Sequence, residues 1–552
     1  MSHPMFEKHR NLLEDAVRAI RARGCWSPWP EHPKAYGDGA LEAGREAFDA
    51  YREANFYLDQ PGLVDRIGAE LSPFGLPLDI RYPRCRPAAL VAAAKAAMPA
   101  WTRAGGDARA GVCAEILARL NAHSPELAHA AMHTTGQPLM MAFQGAGPHA
   151  QERGLEAVAL AWREMREIPE TAVWEKPQGR NPPLRLEKRY LVVPRGVGLV
   201  IGCSTFPTWN AYPGLFASLA TGNPVIVKPH PGAILPLAIT VAAARMTLKD
   251  AGFDPNLVSL LVDEPDAPVT RDVALLPDIR VIDYTGSSAF GTWLEENARQ
   301  ARVFAEKAGV NCVVVDSTDD YGGLLQNLAF SLCLYSGQMC TAPQAIFVPR
   351  AGISTPAGSV DPQRFGVDLS QAVGRLLEDD ARAVEILGAI QSPATLARLE
   401  ALGGHGEELR ESRPLRHPVW PEARVVTPLL LRVDVAEEVL YGEERFGPAA
   451  FVVEAATTAE SLAATERLVR EKGAITLLIH STNPHVRDLA EELALRAGVS
   501  LSFNLTDGVF VNQSAAFSDF HATGANPAAG ACLTDAAFVA GRFFVVQTRR
   551  HL

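Results

Sequence analysis

The chain has 552 residues, of which 47% are hydrophobic and 21% are charged, and its formal net charge is -11. This length predicts more than one domain, and the acidic balance disfavours a nucleic-acid-binding protein. No apolar run approaches the roughly 20 residues that span a bilayer, which indicates no membrane segment. The eight cysteines form no CxxC pair and no zinc-like cluster with histidines. We therefore expect reduced thiols, no metal site and a cytoplasmic protein.

The N-terminal half begins with helical patterns. Residues 1–80 predict a mostly helical extension that ends in the Pro- and Gly-containing stretch LSPFGLPLDIRYP. Apolar residues recur at helical spacing over 88–167. The segment 186–203 predicts two strands around Pro194-Arg195-Gly196.

Strands and helices then alternate in two successive sets. The first set contains PVIVKP, LVSLLV and DIRVIDYTG, and the second runs from CVVVD at 312 to GVSLSFN near 503. Such alternation predicts an α/β fold with two parallel sheets covered by helices. We assign domains to 81–311 and 312–515, followed by a C-terminal segment, 516–552, that contains the strand GRFFVVQTRR.

Two features of the first set indicate a nucleotide site. The segment GSSAFG, residues 286–291, follows an apolar strand and opens a helix, where backbone N–H groups and Ser287 can meet a phosphate. Lys228 ends the strand of PVIVKP, at the edge where ligands bind in such sheets. Taken alone, the first is equally compatible with a plain helix cap, and the second is more often a surface lysine. The G-x-G-x-x-G fingerprint is absent.

Cys340 lies in YSGQMCTAPQAIFV, residues 335–348, just before an apolar strand. By itself it is either a buried structural thiol or a nucleophile, and buried free cysteines are common. The surrounding motifs decide between these interpretations.

Five segments in order resemble motifs of the aldehyde dehydrogenase superfamily, from about residue 85 to the C-terminus. They are VIVKP, TGSSAFG, EKAG at 306–309, GQMC at 337–340 and EERFGP at 443–448. The N-terminal extension and CSTFPTWNAYPGLFASLATGN are most similar to the phenylacetate-degradation ring-opening type called PaaN, in its short form without a hydratase domain.

This resemblance implies a role for each matching residue. Cys340 would be the nucleophile that forms a thioester, and Glu306 the general base that activates water for its hydrolysis. The remaining matches would bind a nicotinamide dinucleotide: Lys228 and Glu444 at the riboses, Phe446 near the nicotinamide, and the turn containing Gly286, Ser287 and Gly291 at the pyrophosphate.

Two positions depart from the family pattern. Thr205 stands where an asparagine usually donates to the oxyanion, so either Thr205 serves as a shorter donor or the protein is slow or specialised. Asn210 is a weaker candidate for this donor. Pro231 occupies the position of the carboxylate found in many NAD-using members, and we therefore expect NADP to be preferred, with NAD possible.

The resemblance further implies a small aldehyde substrate and, from its finer part, a CoA-linked semialdehyde from aromatic ring cleavage. RYPRCR at 81–86 is a candidate cationic patch for the CoA phosphates, although such a run is more often a solvated boundary loop. The alternatives are an acylating, CoA-dependent aldehyde dehydrogenase and a weakly active pathway scaffold. A bridging hairpin near 184–203, together with the strand at 542–548, implies a homodimer or homotetramer; an ordinary hairpin within one subunit is the alternative.

Overall fold

The computed structural model describes residues 3–307 and 309–552. Ala308, within the EKAG segment, and residues 1–2 of the predicted extension lie outside the described residues. No helix in the described part of the chain is both long and apolar enough to cross a membrane.

The N-terminal residues form two helices followed by a β-hairpin, so the predicted extension is only partly helical. Its elements are α1 (Pro4–Ala22), α2 (Ala40–Asp49), β1 (Leu63–Ile67) and β2 (Tyr82–Cys85), with a short 3₁₀ helix at Pro33–Tyr36. The strand β1 pairs antiparallel with β2, across the predicted boundary at residue 80. Phe6, Leu13 and Ile20 line one face of α1 and are buried, as its amphipathic pattern requires.

Five helices and a long hairpin follow. They are α3 (Pro87–Arg103), α4 (Gly105–Ala122), α5 (Ser124–Thr135), α6 (Leu139–Ala146), α7 (Pro148–Arg166), β3 (Thr171–Gln178) and β4 (Asn181–Pro194). Helix α1 packs against α4 and α7. The N-terminal residues therefore share one hydrophobic core with the rest of the chain.

The first parallel sheet carries the predicted nucleotide motifs. Its elements are β5 (Val197–Ile201), α8 (Pro207–Ala220), β6 (Val225–Lys228), α9 (Leu235–Asp250), β7 (Val258–Leu260), α10 (Thr270–Ala274), β8 (Ile279–Thr285), α11 (Ser288–Asn297) and β9 (Arg302–Glu306). The strand order is β7-β6-β5-β8-β9 and all neighbours are parallel. Lys228, Thr285 and Glu306 end three of these strands and therefore lie at the same edge.

The second sheet is larger. The part of the chain that forms it contains β10 (Cys312–Val315), α12 (Tyr321–Cys333), β11 (Ala345–Pro349), β12 (Ile353–Thr355), β13 (Gly358–Val360), α13 (Pro362–Leu376), α14 (Asp380–Leu387), α15 (Pro393–Leu402), β14 (Glu407–Arg410), β15 (Leu429–Asp434), α16 (Glu438–Tyr441), β16 (Ala449–Ala455), α17 (Thr458–Lys472), β17 (Thr476–His480), α18 (Pro484–Ala497) and β18 (Ser500–Phe503). Its order is β14-β15-β16-β11-β10-β17-β18. Only the edge strand β14 is antiparallel to its neighbour; the hairpin β12–β13 forms a separate small sheet.

The chain ends with α19 (Ala536–Ala540) and β19 (Phe543–His551). β19 pairs antiparallel with β4, which also pairs with β3, and the three strands form a separate sheet. The hairpin is β3–β4, so it begins earlier than the predicted range near 184–203, and β5 belongs to the parallel sheet. Pro177 lies on the edge strand, and Pro182 and Pro183 lie next to the turn. Edge strands tolerate proline, but these prolines hide the strand signal in the sequence.

Candidate active site

A cleft of about 1320 Å³ lies at the carboxyl edge of the first sheet. The cysteine loop and the EERFGP loop of the second sheet form its other side. Eight of the nine predicted site residues line this cleft: Thr205, Lys228, Gly286, Ser287, Glu306, Cys340, Glu444 and Phe446. The fold thus brings together residues that lie far apart along the chain.

Gly291 is the exception and does not line the cleft. A Cβ atom at this position would lie 2.5 Å from Lys307 Cγ and 3.1 Å from Tyr284 Cε1. Gly291 therefore allows α11 to pack closely on the ends of β8 and β9. Its predicted contact with the cofactor is not supported by this placement.

The turn before Cys340 has an unusual backbone. Tyr335, Ser336 and Gly337 adopt positive φ values of 51°, 52° and 63° in succession. Such a conformation is unfavourable for residues with a Cβ, and hydrogen bonds hold it. Tyr335 Oη donates to Thr135 O at 2.5 Å, and Ser336 Oγ donates to Leu387 O at 3.0 Å. The turn presents Cys340 at the floor of the cleft instead of within the following strand.

The Cys340 thiol is half-buried, and its Sγ lies within 4.8 Å of a Glu306 carboxylate oxygen. Burial, followed by the nearby negative charge of Glu306, raises the pKa of Cys340 well above its ordinary value. Cys340 is therefore a thiol at rest and needs a base before it can attack. Asn311 Nδ2 donates to Cys340 O at 2.8 Å and fixes the loop.

Glu306 is buried at the end of β9, and burial opposes its ionisation. Its pKa is nevertheless lowered, because the His521 ring, the Cys340 thiol and the Arg153 guanidinium together outweigh burial. Asn210 Nδ2 donates to Glu306 Oε1 at 3.3 Å. Glu306 is therefore a carboxylate that can accept a proton.

His521 is a residue that the sequence did not indicate. Its Nε2 lies 3.2 Å from Glu306 Oε2 and 3.9 Å from Cys340 Sγ. It is 181 positions from Cys340, in a segment without helix or strand, and no local motif marks it. Glu306, Cys340 and His521 each place one side-chain heteroatom within 4.8 Å of the other two.

Thr205 and Asn210, the two candidates for the oxyanion donor, both line the cleft. Thr205 is buried, and its backbone oxygen accepts a hydrogen bond from Gln137 Nε2 at 2.6 Å. Asn210 already donates to Glu306, whereas its Oδ1 faces Cys203 Sγ at 3.5 Å.

The other end of the cleft fits a dinucleotide. Gly286 has a φ of +159°, and a Cβ there would lie 2.5 Å from Tyr284 Oη. The bare turn leaves the N-terminus of the ten-residue helix α11 facing the cleft, with Ser287 at its N-cap. Backbone N–H groups at such a terminus suit a pyrophosphate.

The charges at this end are partly neutralised by their surroundings. Lys228 Nζ pairs with Asp263 Oδ1 at 2.6 Å, and burial lowers the pKa of the lysine. Burial raises the pKa of Glu444 to about 8, against a hydrogen bond from the Gly309 N–H. None of residues 81–86 lines the cleft, and Arg84 pairs with Asp65.

Comparison with known proteins agrees with this geometry. The aldehyde dehydrogenase family matches residues 86–468. The crystal structure of an NAD-dependent aldehyde dehydrogenase from Burkholderia multivorans superposes with a TM-score of 0.99, at 57% identity over 100% of both chains. The N-succinylglutamate 5-semialdehyde dehydrogenase of Chromobacterium violaceum is 27% identical over 388 residues, 68% of this chain and 73% of its own.

A more distant structure shares the fold. The NADP-dependent glyceraldehyde-3-phosphate dehydrogenase of Bacillus halodurans, solved with NADP, has a TM-score of 0.68 at 17% identity, over 88% of this chain and 96% of its own. The family match, the overall superposition and the dinucleotide-shaped cleft converge on one assignment. The chain belongs to the aldehyde dehydrogenase family and is an oxidoreductase that acts on aldehydes with a nicotinamide cofactor.

Proposed function

We propose that this protein oxidises its aldehyde to a carboxylic acid through a thioester on Cys340 that water hydrolyses. The observation that carries this proposal is the position of the Cys340 thiol, within 4.8 Å of the Glu306 carboxylate, where both residues line the cofactor cleft. An acylating enzyme passes its thioester to CoA and needs no base for water. The buried carboxylate beside the thiol therefore favours hydrolysis.

Each residue has one task in this proposal. Cys340 Sγ attacks the aldehyde carbon, and the Thr205 hydroxyl together with the Cys340 N–H donates to the developing oxyanion. A bound nicotinamide supplies the acceptor for the hydride. Glu306 then takes a proton from the water that attacks the thioester. Lys228 and Glu444 hold the riboses, Phe446 borders the nicotinamide, and Gly286 and Ser287 receive the pyrophosphate.

For the substrate we propose a CoA-linked semialdehyde from aromatic ring cleavage, as in phenylacetate breakdown. The likeness of the N-terminal extension and of residues 203–223 to the PaaN type supports this choice. The cationic patch suggested at 81–86 does not, since Arg84 is paired and the segment lies outside the cleft. A CoA moiety would have to bind elsewhere on the chain.

A free semialdehyde that carries a carboxylate is the second candidate, and Arg153 favours it. This side chain is 1% exposed, and its three guanidinium nitrogens have no hydrogen-bond partner among the described residues. The guanidinium stacks on Trp209 at 4.6 Å, and Glu156 lies 3.7 Å away. A buried guanidinium without hydrogen bonds is costly, and a substrate carboxylate would supply two. The relatives that act on N-succinylglutamate 5-semialdehyde are named for a substrate of this class.

For the cofactor we propose a preference for NADP. No carboxylate stands at Pro231, and Arg271 lines the same cleft as a cation that can meet a 2′-phosphate. Asp263, paired with Lys228, argues in the opposite direction and makes NAD the second candidate. The ratio of kcat/KM values for NADP and NAD tests this choice, and introducing P231E should lower it. A parent enzyme with much higher efficiency on NAD would overturn the preference.

One panel of aldehydes tests the substrate proposals together. CoA-linked semialdehydes, free carboxylate-bearing semialdehydes and neutral aliphatic aldehydes are each assayed at low salt, with and without free CoA. Higher kcat/KM on CoA-linked compounds supports the first candidate, and higher kcat/KM on free acidic semialdehydes supports the second. Turnover that requires free CoA and yields an acyl-CoA would show an acylating enzyme. A protein that binds cofactor but oxidises none of them would favour the scaffold alternative.

We also propose a homodimer or homotetramer assembled through the β19–β4–β3 sheet. Its strands are largely exposed and present apolar side chains, with Val173 60% exposed and Leu191 47% exposed. A sheet that exposes apolar side chains to solvent is typical of a surface that a second copy of the chain covers. The free cysteines support a reducing, cytoplasmic location. Light scattering measures the assembly, and removal of β19 should shift it towards monomer.

A further inference from the structure

His521 lies between the two side chains that the proposed reaction uses. Its Nε2 is 3.9 Å from Cys340 Sγ and 3.2 Å from Glu306 Oε2, and its side chain is 1% exposed. Both distances are within the reach of a proton shared through small side-chain motions. Sγ, Nε2 and Oε2 therefore form one proton-sharing group.

The loop that carries His521 is fixed at the active site at two points. Lys307 N–H donates to Ala528 O at 2.5 Å and Gly530 N–H donates to Ala305 O at 2.7 Å, which joins the loop to the end of β9 beside Glu306. Thr341 Oγ1 donates to Asn512 O at 2.8 Å, next to Cys340. The position of His521 thus follows from contacts with both partners.

The orientation of the ring is set by Trp209. The two rings meet edge to face, with centroids 4.7 Å apart and planes at 75°. Nδ1 has no hydrogen-bond partner among the described residues, whereas Nε2 faces both Sγ and the carboxylate. In the neutral tautomer that carries the ring proton on Nδ1, Nε2 has a free lone pair and is the ring atom that can accept a proton.

Some group must hold the proton of the Cys340 thiol from the attack on the aldehyde until water attacks the thioester. Cys340 must lose its proton before it attacks, and Glu306 must be free of a proton when water attacks the thioester. If Glu306 took the thiol proton, it would be neutral in the second step until that proton escaped. Nε2 is the one atom of the three that neither forms a bond to substrate nor activates water.

We propose that His521 is a catalytic residue that takes the Cys340 proton on Nε2 and holds it next to the Glu306 carboxylate until the thioester is hydrolysed. This inference rests on the proposed hydrolytic function and deepens it. The positive ring that results lies against a carboxylate, which stabilises it.

The protons and electron pairs balance over the cycle. The Sγ–H bond breaks towards Nε2 and the Sγ electron pair forms the C–S bond, while the carbonyl pair moves to oxygen. Departure of the hydride with its electron pair restores the carbonyl and leaves a thioester. Water adds to the thioester as Glu306 takes its proton; the C–S bond then breaks and its pair returns to Sγ. Nε2 gives its proton back to Sγ, and Glu306 releases one proton to solvent.

Charged and titratable groups face this site from several elements. Besides Glu306 and Cys340, they are Arg153 on α7, Cys203 after β5 and Glu444 in the EERFGP loop. Arg153 favours the ionised form of Glu306, while Cys203 and Glu444 disfavour the Cys340 thiolate. A pH profile of the site reports all of them, so a variant of His521 must be compared with the parent at every pH.

Alkylation of Cys340 tests the proposal without cofactor or substrate. The rate of modification of the Cys340 peptide by iodoacetamide is measured by mass spectrometry from pH 6 to 10 in the parent and in H521Q. We expect H521Q to react at least tenfold more slowly near pH 7, with the difference narrowing as pH rises and the thiolate forms without help. Equal rates and equal pH profiles, within twofold, would overturn the proposal. This result does not depend on which aldehyde is the substrate.

A second variant and a control guard against a folding effect. H521F keeps an aromatic ring against Trp209 but has no proton acceptor, and it should behave as H521Q does. His480 is a matched control, since it is fully buried at the carboxyl end of β17, whereas Asn311, which donates to Cys340 O, precedes the amino end of the neighbouring strand β10. H480Q should alkylate like the parent. If H480Q slows the alkylation of Cys340 as much as H521Q and H521F do, the slowing is a general result of replacing a buried histidine. That outcome would refute the role of His521 as proton acceptor.

Pre-steady-state kinetics with an aldehyde that the parent enzyme oxidises gives an independent readout. H521Q should slow the burst of reduced cofactor at least tenfold near pH 7, with the slowing relieved at high pH. An unchanged burst together with unchanged alkylation would place His521 outside the mechanism. Failure of all aldehydes to react, with a clear alkylation difference, would instead refute the proposed function and leave the thiol–imidazole contact intact.

Discussion

The two ends of the cleft are built in different ways. At the cofactor end, Lys228, Gly286 and Ser287 follow directly from strands of one parallel sheet, so each lies where its strand ends. At the catalytic end, Glu306 and Cys340 meet His521, which a loop brings from 181 positions away. Strand order places the first group, whereas tertiary contacts place the second. Substitutions should therefore have separable effects on cofactor binding and on chemistry.

The largest effect is expected from Cys340→Ala, which removes the nucleophile at the catalytic end. Aldehyde oxidation should fall by at least about 10³-fold, since no other group can form the thioester. Cofactor affinity, measured by fluorescence titration, should change less than twofold because the cofactor end is untouched. Turnover within tenfold of the parent would exclude Cys340 as the nucleophile.

Glu306→Gln should separate the two chemical steps. Hydrolysis of the thioester should slow by roughly 10²- to 10⁴-fold, because the general base is lost. Hydride transfer should persist as a single burst of about one reduced cofactor per site, since His521 still accepts the thiol proton. Stopped-flow absorbance and mass spectrometry of the acyl-enzyme measure both steps. No burst and no acyl-enzyme would place Glu306 earlier in the reaction.

Thr205→Val should test the unusual oxyanion donor. Loss of the hydroxyl should reduce kcat by roughly 10- to 10²-fold, somewhat less than for an asparagine donor. Thr205→Ser keeps the hydroxyl and serves as the matched control. If both variants retain the kcat of the parent, the oxyanion depends on other donors.

Arg153→Met should sharpen the difference between substrate classes. On carboxylate-bearing semialdehydes kcat/KM should fall by about tenfold or more, because a charge-assisted pair is lost. On neutral aldehydes the fall should be smaller and confined to the step that uses Glu306, whose carboxylate Arg153 helps to keep ionised. Arg163→Met on the same helix is the control. An equal loss on both aldehyde classes would exclude recognition of a substrate anion.

The smallest effect concerns stability and the buried carboxyl of Glu152, which accepts a hydrogen bond from Ser27 Oγ. Burial raises the pKa of Glu152 to about 8, whereas an unfolded glutamate ionises near pH 4.3. Between these values the folded state holds a proton that the unfolded state has lost, so stability falls as pH rises.

Glu152→Gln removes this dependence. The difference in free energy of unfolding between this variant and the parent should increase in favour of the variant as pH rises between the two pKa values. At pH 8.5 the variant should be more stable than the parent by about 1 kcal/mol or more. Denaturant melts at pH 5 and pH 8.5 measure the difference, with Glu164→Gln as a control on the same helix. A relative stability that does not vary with pH would show that Glu152 is ionised in the native state.

Strand and helix patterns in the sequence predicted the α/β class and the two sheets, and the resemblance to family motifs predicted eight of the residues that line the cleft. Strand periodicity is local, and a strand end must lie at a sheet edge, so local pattern alone was enough to place Lys228. Glu306 was predicted from its motif, because the short strand that it ends was not evident in the sequence. The same local logic failed for the arm, because Pro177, Pro182 and Pro183 obscure its strands. It also failed for Gly291, whose close approach to Lys307 is a matter of packing.

Only the tertiary structure decided the surroundings of the catalytic pair. His521 and Arg153 lie in segments with no motif, a long loop and helix α7, and they contact Glu306 and Trp209, which are distant from them along the chain. Protonation states follow from those contacts, since the lowered pKa of Glu306 and the raised pKa of Cys340 depend on burial and neighbouring charges. Sequence spacing carries no information on either quantity, because both are set by atoms that are distant along the chain.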